Sequence, residues 1–240
     1  ETDEQRLTGI SALTPEFIDM VTFQDKETQT SIVRSLVDGT WTVEGFPVKA
    51  NSQEYLWETI DKLNGASLVA TNVSNHDRMG VSENTGTIVR FFSGDTEVEK
   101  FIVGDKQRVV VGEKEYTPWS AFVAQCFFRR PGEEQVYGVF CRSPERFSAN
   151  INSWGERLVY DIPLQQMGPM TFIYADDKFT LSVIDTKWTI STEGSPTELA
   201  KVDVARQILT SLRRVEANRL PTLDESKNVN FNEPEVVIQV

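Results

Sequence analysis

Thr22-Phe23 … Asp38-Gly39-Thr40-Trp41-Thr42-Val43 and Thr171-Phe172 … Asp185-Thr186-Lys187-Trp188-Thr189-Ile190 are two versions of one pattern, their tryptophans 147 positions apart in a chain of 240 residues. Solenoid repeats recur every 20–50 residues or about that, so this period points to a duplicated folding unit. Phe23 precedes Trp41 by 18 residues and Phe172 precedes Trp188 by 16. A difference of two keeps every side chain on its own face of a strand pair, where a difference of one would flip them all.

Farther along, Lys49-Ala50-Asn51 aligns with Lys201-Val202-Asp203. Leu56, Trp57, Ile60, Leu63 and Leu68 align with Ile208, Leu209, Leu212, Val215 and Leu220. The offset has grown from 147 to 152, which assigns five extra residues to the loop around Glu193-Gly194-Ser195-Pro196. Each copy thus predicts a β-hairpin, a loop, one helix and further strands.

The first hairpin is expected over Phe17–Phe23 and Ser31–Val37, with Asp38-Gly39 or Asp25–Thr28 as turn. In the helix that follows, Asn51 or Ser52 is placed to cap, with Glu54 completing a capping box, and Asn64-Gly65 stops it. The second helix starts near Asp203, carries Ile208, Leu209, Leu212 and Val215 on one stripe and ends in Arg213-Arg214, cations that suit its C-terminal dipole. Between the copies the chain reads as strand: Thr87–Phe92, Glu97–Val103, Arg108–Val111, then a third hairpin, Ala121–Arg129 and Gln135–Arg142. Ser143–Glu156 has the Pro, Asn and Gly content of a connection, and Glu235–Val240 matches the strand Thr87–Phe91. The fold class expected is α+β: two related halves, each a curved antiparallel sheet with a helix packed on one face. The domains expected are a polar stalk over 1–10, a first repeat over 11–145 and a shorter second repeat over 146–240.

The formal charge of −12 repels phosphate backbones and anionic lipid, and the 24 Lys and Arg form no dense run. That argues against a nucleic-acid partner. No window approaches the roughly 18 apolar residues of a membrane span. The chain begins at Glu1 rather than Met, so a segment upstream is expected to have been removed.

No catalytic signature is present. His76 is the single histidine, and any Ser-His-Asp or Cys-His arrangement would have to pass through it; in the polar run Asn72–Arg78 it is expected in solvent. One His and two distant Cys do not make a zinc site. Asp176-Asp177 sits where the first copy has its hairpin turn and lacks EF-hand spacing, so a turn is the better reading. No phosphate-binding glycine loop occurs. Catalytic, cofactor and metal residues are therefore all expected to be none.

The turn Asp-x-x-Trp-x-Val, the Lys-Ala-Asn/Asp start of a Leu-x-x-x-Ile-x-x-Leu helix, Gly80-Val81 before a strand, and the strand end Ile102-Val103-Gly104 together resemble bacterial proteins of the family domain of unknown function 4340. The resemblance covers most of residues 11–142 and, more weakly, 157–240. It implies a membrane-anchored cell-envelope protein with an N-terminal spanning helix, encoded beside ABC-transporter and gliding-motility-type auxiliary proteins. It brings no catalytic residues. It places the chain outside the cytoplasm, in the periplasm or envelope, touching the membrane only through an anchor that this chain lacks.

Cys126 and Cys141 lie on opposite arms of the third hairpin. A register whose paired numbers sum to 267 brings them face to face over a Gly132–Gln135 loop, and a cross-strand disulfide would suit an oxidising compartment. Two buried free thiols are the other reading. Trp41, Trp188 and Trp57 read as packing residues, whereas Trp119 and Trp154 lie outside the duplicated cores and are the candidate partner or ligand surface. The function expected is a non-enzymatic module acting through contacts with a protein partner in the envelope, a homo-oligomer staying open. An envelope ligand- or glycan-binding module is the alternative, and a hydrolase using unidentified carboxylates ranks below both. Thiol titration of the denatured, unreduced chain separates the cysteine readings: none titrates if the bond exists, two if it does not.

Overall fold

The computed structural model describes residues 7–104, 109–111, 114–116, 125–141, 147–221, 223–228, 230 and 232–240. The fold is α+β, mostly antiparallel sheet with a few helices, and it divides into two compact units between Glu156 and Arg157. In chain order the first unit forms β1 (Met20–Gln24), β2 (Gln29–Arg34), β3 (Trp41–Val43), β4 (Phe46–Pro47), α1 (Ala50–Lys62), β5 (Ser67–Ala70), β6 (Thr87–Ser93), β7 (Thr96–Gly104), β8 (Val109–Val111), β9 (Lys114–Tyr116), β10 (Gln125–Arg129) and β11 (Val136–Phe140). The second forms β12 (Leu158–Asp161), β13 (Met170–Ile173), β14 (Lys178–Ile184), β15 (Lys187–Thr192), β16 (Glu198–Leu199), α2 (Val202–Arg213), β17 (Arg214–Glu216), α3 (Leu223–Lys227) and β18 (Val237–Gln239).

The nine-stranded sheet of the first unit runs β4-β3-β2-β1-β6-β7-β10-β11-β5. The five-stranded sheet of the second runs β16-β15-β14-β13-β18, and every pair in either sheet is antiparallel. In the first, Phe23 faces Thr30 across one turn and Arg34 faces Trp41 across the next. In the second, Phe172 faces Phe179 and Val183 faces Trp188. The first turn has the same length in both, so the two-residue difference lies entirely in the second turn, Ser35–Thr40.

Beyond each tryptophan the chain returns through one backbone bond. Val48 N donates to Trp41 O, and Ala200 N donates to Trp188 O, each over 2.9 Å. A helix follows at once, with Lys49 or Lys201 as its N-cap.

Several local expectations change. Neither Asn51 nor Ser52 caps α1; Ser52 lies one turn in, and its hydroxyl donates to Ser153 O at 3.1 Å, so the helix start is fastened to the 152–154 segment. Lys49 N donates to Trp154 O and Lys49 Nζ to Asn152 O, which completes that fastening. Val215 leaves the helical stripe, because α2 stops at Arg213 and Arg214–Glu216 pairs with β12. β1 starts at Met20 rather than Phe17, since Phe17 N and Ile18 N both turn back onto Thr14 O.

Residues 7–10 are not stalk: Leu7 and Ile10 are buried, and Arg130 donates to Thr8 O. Their apolar side chains gain more from the core than from water. Residues 147–156 likewise belong to the first unit. Phe147 meets Phe128 edge-on at 5.4 Å, Trp154 stacks on Phe23 at 4.2 Å, and Gly155 bridges to Val48. The hydroxyl of Thr30 donates to Ala149 O within the same core.

Leu56, Ile60 and Leu63 are buried at the expected four- and three-residue spacing, and Trp57 tilts against Trp41 (5.5 Å) and Phe91 (6.5 Å). From Phe91 the aromatic contacts continue through Phe101 and Phe128 to Phe147. The core of the second unit is smaller: Met170, Phe172, Leu181 and Ala205, with Trp188, Ile208, Leu209 and Leu212 half-buried around them.

Ile60→Ala is expected to cost about 2–5 kcal/mol by transfer and cavity terms together, read from urea denaturation. At the β1–β2 turn, the backbone N–H of Glu27 first, then that of Thr28, hold the Asp25 carboxyl below its usual range. A carboxylate with a lowered folded pKa stabilises fully above its unfolded value and loses that contribution as pH falls through the folded value. Asp25→Ala should therefore lower the urea midpoint at about pH 6, and its gap to the parent should close by about pH 2.

Candidate functional site

Trp119 lies outside the described residues. Trp154 is fully buried, stacked on Phe23, with its indole Nε1 donating to Ser148 O at 2.9 Å. Both ring face and polar edge are occupied, so Trp154 is a core residue and offers no stacking surface. That is a correction, and its cause is the fastening of the 147–156 segment onto the first unit.

His76 is also corrected. It is only 6% exposed, and its Nε2 lies 3.0 Å from Glu134 O. A carbonyl only accepts, so Nε2 carries the proton. Beside it Arg129, 5% exposed, donates from Nε to Val81 O (2.8 Å) and from Nη1 to Glu133 O (3.1 Å). These two side chains fasten the 73–81 loop to the β10–β11 turn. The fit is tight: a Cβ on Gly104 would come within 2.1 Å of Met79 O. Neither burial was visible in the sequence: His76 stands in a polar run, and Arg129 reads as the charged end of an apolar strand.

Cys126 and Cys141 are joined by a disulfide, with Cα atoms 5.7 Å apart. The register differs from the expected one. Cys126 faces Val139 and Phe128 faces Tyr137, pairs whose numbers sum to 265, so the bond reaches the residue diagonal to Cys126. The connection is Arg130–Gln135 instead of Gly132–Gln135, because Glu133 N closes a turn onto Arg130 O and Arg129 holds Glu133 O out of the ladder.

A shallow, open depression of about 350 Å³ lies beside β7 and the same turn, lined by Glu97, Glu99, Lys100, Arg130 and Glu133 among others. Arg130 Nη2 is 2.6 Å from Glu99 Oε2. That hydrogen bond first, and the carboxylate charge with it, hold Arg130 above its ordinary range. The guanidinium also lies over the Phe101 ring at 5.8 Å. Arg130 is thus committed to tying Thr8, Glu99 and its own turn together, and leaves little for a ligand.

Asp176 and Asp177 occupy the β13–β14 turn, where Tyr174 N donates to Asp177 O and Lys178 N to Asp177 Oδ1. Among the described residues no group of three or more His, Cys, Asp or Glu is placed to hold a metal ion. No helix among them is long and apolar enough to cross a membrane.

What remains exposed and apolar is concentrated in the second unit. Val183, Ile184, Leu199, Val202, Val204, Val237, Ile238 and Val240 all present substantial surface there. Three of them belong to the last strand and its flank, and among the described residues β18 is an outer strand of its sheet. In the first unit, Leu36 and Val37 project from the β2–β3 turn, Val37 being 97% exposed.

The family described as Domain of unknown function (DUF4340) matches residues 41–234, from β3 across both units. The chain belongs to this family. No curated protein and no solved structure matches it. The DUF4340 match takes in α1, α2 and α3, the disulfide and the buried Arg129.

Reducing the disulfide should lower stability by about 2–4 kcal/mol, read as a shift of the urea midpoint with and without reductant. Arg129→Met should cost about 1–3 kcal/mol for each carbonyl left without a donor. Arg129→Lys should recover little of it, because a point cation lacks the planar fork that spans Val81 O and Glu133 O.

Proposed function

We propose that this chain is the extracytoplasmic part of a membrane-tethered, non-enzymatic accessory protein that works through protein contacts, with an ABC-type transport or gliding-type complex as its setting. Its anchor would lie outside the sequence in hand. We also propose that the two units are related by duplication. The support for kinship is the shared strand order, the matching partners of Trp41 and Trp188, and the two lysine-capped helices.

One observation carries the contact reading. Among the described residues the second unit buries five apolar side chains, Met170, Phe172, Leu181, Ala205 and Leu220, and exposes more large ones than that, on both outer strands of its sheet, at the end of β14 and at the start of α2. Exposed apolar surface that is contiguous rather than scattered marks an interaction site. An apolar sheet edge is also a ready template for another strand. The glycan-binding alternative loses Trp154 as a platform, and no other described aromatic takes its place beside a polar cleft.

Photo-crosslinking in the native host's envelope tests the reading. A photoreactive residue at Val237 should capture a protein of an envelope complex, whereas one at Glu54 on α1 should not. Cross-links to no protein from Val237, together with calorimetric binding of a small sugar by the same chain, would reverse the choice in favour of the ligand-binding module.

A further inference from the structure

We infer that the first sheet, on the face turned away from α1, holds a tetrahedral oxyanion, a phosphate or sulfate group, on a row of donors made by Thr22, Arg90 and Lys100. The site is independent of the protein-contact reading above, and the failure of either leaves the other standing.

The row follows from register. Thr22 of β1 faces Ser31 of β2 on one side and Arg90 of β6 on the other, and Arg90 in turn faces Lys100 of β7. Directly opposed residues have Cβ atoms about 4.5–5.5 Å apart, so four strands bring two hydroxyls, a guanidinium and an ammonium into one line. Their neighbours along the strands, Val21, Phe23, Ile32, Val89, Phe91 and Phe101, are fully buried on the opposite face.

Three observations point to an anion. Like charges directly opposite one another destabilise a sheet, yet Arg90 and Lys100 are paired in this way and no carboxylate shares their row. Arg90 gives Nη1 to a neutral acceptor, Gln24 Oε1 at 2.9 Å, and among the described residues the Lys100 ammonium meets no acceptor. Thr22 is 5% exposed, and its Oγ1 is buried without a hydrogen-bond partner among the described residues, a state that buried hydroxyls seldom keep.

The second sheet supplies the contrast. Thr171 faces Thr180 and Gln239, and its hydroxyl lies 3.0 Å from that of Thr180. That row carries no cation, and its hydroxyls satisfy each other.

The carboxylates nearest the first row leave it open. Glu99 is held by Arg130 and accepts from Lys100 N. Glu97 Oε2 stands 3.6 Å from Arg90 Nε, longer than a hydrogen bond, on a half-exposed side chain. Three donors on three strands match three oxygens of a phosphate or sulfate, where a carboxylate has two. Taking up such a group, Arg90 exchanges a neutral acceptor for a charged one, which is the stronger bond, and uncovers the Thr22 hydroxyl opposite it. The chain's formal −12 is screened beyond about 8–10 Å at physiological salt, so contacts within the row decide the binding.

The probe is inorganic phosphate, titrated into the isotopically labelled chain at fixed ionic strength and read by NMR. The amides of Thr22, Arg90 and Lys100 should move along one saturating curve while that of Thr171 stays still. Arg90→Gln and Lys100→Gln should each weaken binding about tenfold. Thr22→Val should weaken it about threefold without lowering the urea midpoint, because it removes an unpartnered hydroxyl. Glu97→Gln should strengthen binding about threefold, a gain that a purely structural row would not produce.

An absence of saturation, a curve unchanged in both Arg90→Gln and Lys100→Gln, or equal movement at Thr171 would overturn the inference. Flotation with phosphatidylcholine vesicles carrying phosphatidate separates the sources of the group. Flotation that Arg90→Gln abolishes assigns a lipid headgroup, and a chain that binds phosphate but does not float assigns a soluble phosphorylated or sulfated ligand.

Discussion

The two-residue repeat of the β-strand is the constraint on which this architecture depends. Each sheet buries one face, so a connection can gain or lose residues only in twos without turning the buried face to water. The turn after β2 is two residues longer than the turn after β14, and Trp41 and Trp188 keep corresponding partners, Arg34 and Val183. From each tryptophan one backbone bond, to Val48 N or Ala200 N, brings the chain back to start a helix. A one-residue change before either tryptophan would point the indole away from its helix and release that bond's geometry with it.

The two units are built out to different degrees. In the first unit the sheet continues past β6 into β7, β10, β11 and β5, and the added strands bring Phe101, Phe128 and the disulfide. They also create a need for polar satisfaction. The 73–81 loop and the β10–β11 turn are held by Arg129 and His76, which donate to carbonyls that no ladder serves. Burying a guanidinium against carbonyls alone is stable only if its hydrogen bonds are well formed, so those contacts fix the loop's position closely. The second unit has no such extension among its described strands, and its half-buried Ile208, Leu209 and Leu212 reflect that smaller cover.

The parts legible in the sequence were those set by periodicity. The spacing of Leu56, Ile60 and Leu63, the turn at Asp25–Thr28 and the loop at 193–197 follow from local chemistry and lie where that chemistry puts them. The misreadings share a different cause. The cysteine hairpin differs by two because registers of equal parity satisfy the same alternation, and the turn from Glu133 N to Arg130 O together with the contact from Arg129 to Glu133 O favours the observed one. His76, Trp154, Leu7 and Ile10 read as solvent or boundary residues because the sequence around them is polar or loop-like. Their burial comes from segments more than fifty residues away, such as Glu134 for His76 and Phe23 for Trp154. Ser52 did not cap its helix for a similar reason: the hydroxyl found a carbonyl at Ser153.

The sheet edges themselves sharpen the functional argument. Proteins guard such edges with proline, charge, irregular pairing or a covering segment. β4 carries Pro47 and is covered by Gly155 and Glu156, the latter donating to Pro47 O at 2.7 Å. β5 joins β11 through a register shift. β16 is two residues long and contains Glu198. β18 is short too, and Val237-Ile238-Gln239 holds neither charge nor proline. On β4, β5 and β16 those guards refuse indiscriminate pairing, which confines any contact through these sheets to surfaces other than those three edges.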